Sequence, residues 1–255
     1  MSPRRIHVLV AVLGLALCLI PFQAKIRSAA GSSIQSMKSR KSVSERVMEF
    51  GEAVHNRLAT RFREVGVAYP PKQITMVGLK QERALEVWVS DQSGEFRHLK
   101  TYPILCASGT LGPKLTEGDG QVPEGLYRIE SLNPNSLFHL ALRVNYPNRF
   151  DIAKGTLDGR VSLGSDIMIH GGSASIGCLA MGDQAAEDLF VLAAETGIER
   201  IALILSPVDF RIRDLPSGLA LRPSWTFELY AEIQKELLKL KRELTPPLSK
   251  TETPL

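Results

Sequence analysis

Cysteines, aromatic residues and long apolar runs are all scarce in this chain of 255 residues. Three cysteines, one of them near the N-terminus, exclude the dense disulfide framework of a small secreted domain. Paired Cys-x-x-Cys and His-Glu-x-x-His spacings are absent, which argues against a metal site. Aromatic residues make up 6% of the chain and the net charge is only +4, so no nucleic-acid partner is indicated. Packing of apolar side chains must supply the stability.

The first 30 residues resemble an export signal. Arg4-Arg5 precedes an apolar run from Val8 to Ile20, which Pro21 interrupts. A bilayer span needs about 20 apolar residues and a signal peptide about 7–15, so cleavage near Ser28-Ala29-Ala30 is favoured over an uncleaved anchor. We therefore expect residues 1–30 to be a signal peptide or anchor. The protein is then exported to the periplasm or cell envelope. It contacts the membrane only if the leader stays uncleaved, in which case the leader anchors it to the inner membrane.

Composition and periodicity divide the rest of the chain into four segments. Residues 31–44 are rich in Ser, Lys and Arg, as in a flexible linker. Apolar residues recur at helical spacing within residues 45–71, which predicts an amphipathic helix. A second such pattern, Phe227–Leu244, predicts a helix followed by a tail in residues 211–255. Residues 72–210 are left to form one main core.

Residues 72–210 alternate in hydrophobicity as β-strands do and contain one helical pattern, Ala185–Thr196. Glycines and prolines interrupt Gly109–Gly125, which is typical of a long functional loop. The domain is therefore expected to be α+β and mainly β. The predicted strands are Ile74–Leu79, Leu85–Ser90, Leu99–Ala107, Leu126–Ile129, Phe138–Val144, Ile167–His170 and Ile201–Leu205.

The segment that points most directly to chemistry runs from Ile167 to Met181. An apolar strand ends at His170, a Gly/Ser turn follows, and Cys178 comes directly after Gly177. A thiol nucleophile needs a base beside it to hold it as thiolate, and it needs free N–H groups for the developing oxyanion. A cysteine near a histidine is more often a buried structural thiol, so the pattern alone leaves both interpretations open.

His170-Gly171 followed by Ser175-Ile176-Gly177-Cys178 resembles the His-Gly…Ser-His-Gly-Cys signature of the L,D-transpeptidase (YkuD-type) family, in its ErfK/YafK-like branch. Two positions depart from that signature: Ile176 replaces its second histidine, and Ala180 replaces the arginine that usually follows the cysteine. The resemblance implies a β-sandwich catalytic domain, which the N- and C-terminal amphipathic helices predicted from periodicity would flank. It extends over residues 72–210 through Gly112-Pro113-Lys114, residues 117–120 and 123–127, Asn145-Tyr146-Pro147-Asn148, Phe150-Asp151, Met181 and Asp183.

The resemblance also implies roles for individual residues. Cys178 attacks the carbonyl of the diamino acid at the third position of a peptidoglycan stem peptide, and His170 takes the thiol proton. A carbonyl of Gly171 or Gly172 orients the histidine, and the N–H of Cys178 with a neighbouring amide, that of Gly177, forms the oxyanion hole. No cofactor is expected. The candidate substrate-binding residues are Lys114, Arg143, Asn145, Tyr146 and Ser175.

Several outcomes of this chemistry stay open. The acyl-enzyme is resolved by an amine, which gives a cross-link or a protein attachment, or by water, which gives hydrolysis. The chain is then an L,D-transpeptidase-like enzyme of cell-wall remodelling, or a hydrolase, meaning an L,D-carboxypeptidase or an amidase that releases a wall-linked lipoprotein. An inactive exported wall-binding module is a third alternative. Metal binding by His139, His170 and Cys178 is the rival chemistry.

Other polar residues have structural explanations. His139 lies in an apolar strand and fits a hydrogen-bonded core histidine at least as well as a pocket residue. Asp119 and Glu124 fit turn formers better than functional groups. Arg143 fits a solvated side chain and a substrate contact equally well. Cys106 occupies an apolar strand, so we assign it no role and expect no bridge to Cys178.

Overall fold

The computed structural model describes residues 40–215 and 222–240. The leader predicted for residues 1–30 lies outside these ranges, as does most of the linker. Within the two ranges, every helix is too short or too polar to cross a membrane.

Helix α1 (Val43–Val65) begins at a capping box and ends at a left-handed glycine. The Ser42 hydroxyl accepts the N–H of Glu45 at 3.2 Å, and the Glu45 carboxylate accepts the N–H of Ser42 at 2.6 Å. Gly66 ends the helix at φ 66°, a conformation that glycine adopts without strain. The buried face of α1 consists of Gly51, Val54, Leu58 and Phe62.

A mixed sheet forms the centre of the fold. Its strands are β1 (Gln73–Leu79), β2 (Ala84–Ser90), β3 (Phe96–Pro103), β4 (Cys106–Ala107), β5 (Gly125–Ser136), β6 (His139–Val144), β7 (Met168–His170), β8 (Leu179–Ala180) and β9 (Ile201–Ser206). Their order is β3-β2-β1-β9-β5-β6-β7-β8-β4. The pairs β1–β9 and β7–β8 are parallel, and the other neighbours are antiparallel. Strand β5 joins two halves of the sheet, since its first residues pair with β9 and the rest with β6.

Helices cover both faces of the β1–β9 half of the sheet. Successive side chains of a strand point to opposite faces. Met76 accordingly belongs to the core cluster that includes α1 and α3 (Asp183–Thr196), whereas Val77 packs in the cluster of α4 (Thr226–Leu237). Burying a side chain of this size contributes about 1.5–3 kcal/mol. The two clusters therefore fix the sheet between helices.

The buried carboxylate of Asp188 in α3 connects three elements. It accepts hydrogen bonds from Arg57 Nε of α1 at 2.7 Å, and from Lys100 Nζ and the Tyr102 hydroxyl of β3 at 3.0 Å each. A buried charge is tolerated only when it is paired and hydrogen-bonded in this way. The contacts hold α1 and α3 against the outer edge of the sheet.

The predicted fold class, α+β and mainly β with flanking helices, is confirmed. The predicted strand Leu99–Ala107 is divided, because Ile104 and Leu105 leave β3 and donate their N–H groups to Arg83 and Ala180. The sequence analysis missed helix α2 (Arg149–Leu157), whose residues are mostly exposed and show no apolar face. This helix begins at a capping box formed by Asn148 and Asp151.

Candidate active site

Strands β7 and β8 bring His170 and Cys178 together. In this parallel pair His170 lies opposite Ala180, and Cys178 directly precedes β8. His170 is the last residue of β7, and Cys178 lies in the bend that leads into β8. Because neighbouring strands of a sheet lie about 5 Å apart, the parallel pair brings these two stretches of backbone close together.

The ring of His170 is held in one orientation. Its Nδ1 lies 2.6 Å from the carbonyl oxygen of Gly171, and since a carbonyl only accepts, Nδ1 carries the hydrogen. In the neutral ring Nε2 is then the free acceptor. Phe138, in the turn between β5 and β6, stacks on the imidazole with ring centres 4.7 Å apart. A Cβ at Gly171 would lie 2.6 Å from Asp183 Oδ1, so the chain passes too closely here for another residue.

The thiol of Cys178 is half-buried and lies against a main-chain oxygen. Its Sγ donates to the main-chain oxygen of Asp166 at 3.6 Å. Burial raises the pKa of the Cys178 thiol, and the Asp166 carboxylate adds to this, against the opposing effects of the Met168 N–H and the Lys114 ammonium. The sequence analysis expected a base to hold the thiol as thiolate. Burial and the Asp166 carboxylate instead favour the thiol form, so a base that activates Cys178 would take the proton during attack.

Two serine hydroxyls accept hydrogen bonds from the N–H groups that are expected to form the oxyanion hole. Ser175 Oγ accepts the N–H of Cys178 at 3.1 Å and donates to the Cys178 carbonyl at 2.5 Å. The N–H of Gly177 donates to Ser108 Oγ at 2.6 Å. To be bound by these two N–H groups, a substrate oxyanion must displace the serine hydroxyls as the hydrogen-bond acceptor. Gly171 and not Gly172 supplies the carbonyl to His170, since the Gly172 carbonyl accepts the N–H of Gly182 at 2.8 Å.

Three of the candidate substrate-binding side chains make hydrogen bonds or ion pairs within the protein. Lys114 is buried and places Nζ 2.5 Å from Asp119 Oδ1. The Asn145 side chain accepts the N–H of Arg128 at 2.7 Å, and the buried Tyr146 donates its hydroxyl to the Leu163 carbonyl at 2.9 Å. These residues shape the walls of the site through internal contacts.

Arg143, a fourth candidate, forms two ion pairs. Its Nη1 lies 2.6 Å from Asp166 Oδ1 and its Nε 3.0 Å from Glu130 Oε2. Asp166 is also the residue whose carbonyl receives the Cys178 thiol. Arg143 is therefore connected to Cys178 through Asp166.

Asp119 and Glu124 differ in role. Asp119 accepts the N–H groups of Leu115, Thr116 and Gln121 at 3.0 Å each, as a turn former does. Glu124 is instead buried, and the turn-former interpretation of it is wrong. Its Oε1 accepts from Lys80 Nζ at 2.8 Å, and its Oε2 from the Tyr230 hydroxyl of α4 at 2.6 Å. This ion pair anchors the loop between β4 and β5, because Lys80 Nζ also donates to three main-chain oxygens of the loop.

His139 and Cys106 have structural surroundings. His139 Nε2 lies 3.0 Å from Glu187 Oε1 of α3, and its ring meets Phe50 of α1 edge-on. Cys106 is a free thiol opposite Ala180. Within residues 40–215 and 222–240, no group of three or more His, Cys, Asp or Glu side chains is placed to hold a metal ion.

Sequence reasoning missed Ser108, Asp166 and Asp183 as parts of the site. Asp183 entered the sequence analysis only through the family resemblance. Its position at the start of α3 could have drawn attention to it, since acidic residues favour the first turn of a helix. Ser108 and Asp166 carry no such signal, because the first acts through a partner distant in sequence and the second through its main chain.

The L,D-transpeptidase catalytic domain (YkuD) family model matches residues 72–201 of the chain. Over 113 residues the chain is 37% identical to a protein of Escherichia coli (strain K12) named "Putative L,D-transpeptidase YafK". The protein of the same name from Escherichia coli O157:H7 matches equally. The matched stretch covers 44% of this chain and 43% of each relative, so it spans less than half of the relatives' length.

Two solved structures show weaker similarity. The helical cell shape determining protein Pgp2 of Campylobacter jejuni is 20% identical, with a TM-score of 0.45 over 60% of this chain and 56% of that chain. L,D-transpeptidase 1 of Mycobacterium tuberculosis is 16% identical, with a TM-score of 0.30 over 52% of this chain and 62% of that chain. These values are too low to support an argument. The match of the family model across half of the sequence shows that the chain belongs to the L,D-transpeptidase catalytic domain family.

Proposed function

We propose that this chain is a peptidoglycan-remodelling enzyme in which Cys178 forms an acyl-enzyme with the diamino acid carbonyl of a stem peptide. The observation that carries the proposal is the orientation of His170. Its Nδ1 is bound to the Gly171 carbonyl at 2.6 Å, and its strand β7 pairs in parallel with β8, which begins at the residue after Cys178. A histidine fixed in one tautomer, on the strand beside a turn that carries a cysteine, supports nucleophilic catalysis.

The first half of the reaction transfers the acyl group to sulfur. Nε2 of His170 takes the thiol proton as Sγ bonds to the substrate carbonyl carbon, and the carbonyl oxygen becomes an oxyanion. The N–H groups of Cys178 and Gly177 leave the hydroxyls of Ser175 and Ser108 to bind that oxygen. When the carbon–nitrogen bond breaks, His170 returns its proton to the leaving amine.

The second half releases the acyl group from Cys178. An amine or a water molecule attacks the thioester carbon, and His170 takes the proton of the attacking group. The carbon–sulfur bond then breaks and the thiolate regains its proton from His170. An amine gives a cross-link or a protein attachment, whereas water releases a trimmed stem peptide. Where the amine that left in the first half belongs to a wall-linked lipoprotein, the two steps together detach that lipoprotein.

A hydrolase is the second candidate, and the surroundings of Cys178 favour it. Ile176, in place of the signature histidine, is 88% exposed, and Ala180, in place of the usual arginine, is fully buried. Neither position offers a polar group to an incoming amine. Water needs less positioning than a peptidyl amine.

We also propose that the enzyme acts outside the cytoplasmic membrane, in the periplasm or cell envelope. The export-like residues 1–30 and the location of peptidoglycan support this placement. A chain lacking residues 2–30 is expected to digest isolated sacculi but to fail in complementing a deletion strain. Complementation by that chain contradicts the proposed location.

Incubation with a thiol-directed carbapenem, read by intact mass, tests the acyl-enzyme. We expect one adduct on the wild type and on Cys106→Ala, and none on Cys178→Ala. A metal site or an inactive wall-binding module leaves the mass unchanged, so an unmodified wild type overturns the proposal. Sacculi digested with the protein then show by mass which muropeptides are formed.

A further inference from the structure

Asp166 makes two contacts: its main chain contacts Cys178, and its side chain contacts Arg143. Its carbonyl oxygen accepts the Cys178 thiol at 3.6 Å, and its carboxylate lies 2.6 Å from Arg143 Nη1. Asp166 also adopts φ 59°, a left-handed conformation that is uncommon for residues other than glycine. A residue held in this region needs support from its neighbours.

The neighbours that hold this backbone belong to β6. Arg143 lies opposite Met168 in the β6–β7 pair, and the N–H of Val144 donates to the carbonyl of Ile167 at 2.9 Å. The N–H of Met168 in turn faces Cys178 Sγ. Residues 166–168 therefore present an acceptor for the thiol hydrogen and a donor for the thiolate, and β6 fixes both.

We propose that Asp166 is a positioning residue for Cys178, and that its ion pair with Arg143 keeps its carbonyl at the thiol until substrate binds. This inference rests on the proposed function, because it assigns Cys178 as the nucleophile. When substrate arrives, the S–H turns from the Asp166 oxygen to Nε2 of His170, which takes the proton. Arg143 therefore acts through Asp166.

The charges around the thiol give the pair a measurable signature. The charged side chains that act on the Cys178 thiol are Asp166, from the segment before β7, and Lys114, from the loop between β4 and β5. His170, the titratable group of β7, lies on the strand that pairs with β8. The Asp166 carboxylate raises the pKa of the Cys178 thiol, and Arg143 neutralises that carboxylate at 2.6 Å. Removing the acid and removing its partner therefore have opposite effects on the thiol.

The test is the pH dependence of Cys178 alkylation by iodoacetamide in the full chain, followed on the proteolytic peptide that contains Cys178. Asp166→Asn tolerates the left-handed conformation and removes the charge, so its midpoint is expected to fall by about half a pH unit. Arg143→Gln leaves the carboxylate unpaired and is expected to raise the midpoint. The double variant is expected to follow Asp166→Asn.

Two controls separate positioning from a general loss of structure. Arg143→Lys keeps the positive charge and is expected to restore the wild-type midpoint. Glu130→Gln removes the other partner of Arg143, 3.0 Å away, and is expected to leave the midpoint unchanged. Equal shifts in one direction for Asp166→Asn and Arg143→Gln, or no shift in either, overturn the inference. If Arg143→Gln does not fold, Asp166→Asn and Arg143→Lys decide alone, since a wild-type midpoint in Asp166→Asn contradicts the inference.

The proposed function fails by a different measurement. Turnover or carbapenem acylation that survives in Cys178→Ala overturns it, whereas the alkylation midpoints depend only on the thiol and its surroundings.

Discussion

The hydroxyl of Tyr230 in helix α4 donates to Oε2 of Glu124 at 2.6 Å, on the opposite side of that carboxylate from Lys80. Helix α4 is thereby attached to the loop that leads from β4 to β5. The same loop contributes Ser108 Oγ, which donates to the Gly120 carbonyl and accepts the N–H of Gly177. The C-terminal helix thus supports the turn that carries Cys178.

We expect Glu124→Ala to lower the free energy of unfolding by about 3–5 kcal/mol, because it leaves the buried Lys80 ammonium without a counter-charge. Urea unfolding followed by circular dichroism measures this loss. Glu228→Ala is the matched control: Glu228 pairs with Lys154 but is 59% exposed, and its removal is expected to cost about 0–1 kcal/mol. Equal losses in the two variants contradict a structural role for the buried pair.

Cys178→Ala and Cys178→Ser are expected to abolish turnover of muropeptides and to leave the fold intact. The side chain is only half-buried in a loop, so its loss costs little stability compared with the loss of the nucleophile. Cys106→Ala is the control and is expected to stay active. Liquid chromatography of digested muropeptides gives the rates, and an active Cys178→Ala with an inactive Cys106→Ala reverses the assignment.

His170→Ala is expected to slow alkylation of Cys178 near neutral pH. Burial raises the pKa of the Cys178 thiol, so a nearby base that accepts the proton increases the thiolate fraction. The rate of iodoacetamide modification at several pH values measures this effect. His139→Ala removes a histidine bound to Glu187 on α3 and serves as the control. Equal rates in the wild type and His170→Ala exclude His170 as the base.

Asp151 is expected to make stability depend on pH. Burial raises the pKa of this carboxyl from 3.8 to about 6, so the folded state binds its proton more tightly than the unfolded state does. The stabilising contribution is complete below pH 3.8 and is lost as the pH rises through about 6. Asp151→Asn keeps an oxygen that accepts from the Asn148 N–H and carries no charge.

The free energy of unfolding of Asp151→Asn, relative to the wild type, is expected to rise between about pH 4.5 and about pH 7.5, by at most about 3 kcal/mol. Urea unfolding at both pH values measures the change. Asp119→Asn is the control. Burial opposes ionisation of Asp119, but the Lys114 ammonium and three backbone N–H groups outweigh burial and lower the pKa of Asp119. The stabilising contribution of Asp119 is therefore already present above pH 3.8 and does not change between the two pH values. A pH-independent Asp151→Asn contradicts the prediction.

The sequence predicted those parts of the fold whose burial is regular. Strands β1 and β2 are buried almost throughout, so their apolar runs were visible. Helix α2 buries only Gly155 and therefore left no apolar stripe in the sequence. Its start was nevertheless present in Asn148 and Asp151, which form the capping box inside a stretch that was recognised only by its resemblance to the family.

The candidate site was predictable where function depends on side-chain type. His170 and Cys178 stand at the ends of one Gly/Ser turn, and imidazole and thiol are distinctive groups. Asp166 was not predictable, because it contacts the thiol with a carbonyl that every residue has. Glu124 was misinterpreted, because its burial depends on Tyr230, from a helix far along the chain.

The expected balance between hydrolysis and cross-linking rests on the two positions at which the chain departs from the signature. Ile176 is 88% exposed beside the nucleophile, and Ala180 is fully buried between β4 and β7, so no polar side chain at either position receives an acceptor amine. We therefore expect trimmed or released products to equal or exceed cross-linked dimers when the enzyme is incubated with tetrapeptide muropeptides and with lipoprotein-bearing sacculi. Mass spectrometry counts both classes.

Ile176→His tests the physical reason, because it restores the signature at an exposed position where a substitution changes stability by about 0.5 kcal/mol or less. Ala180→Arg is unsuitable, since a charged side chain has no room at a fully buried position. The dimer fraction is expected to rise in Ile176→His while total Cys178 acylation by carbapenem stays the same. Abundant direct diamino-acid-to-diamino-acid dimers from the wild type, with little hydrolysis, mean that the acceptor is held by other groups and that the missing histidine does not decide the outcome.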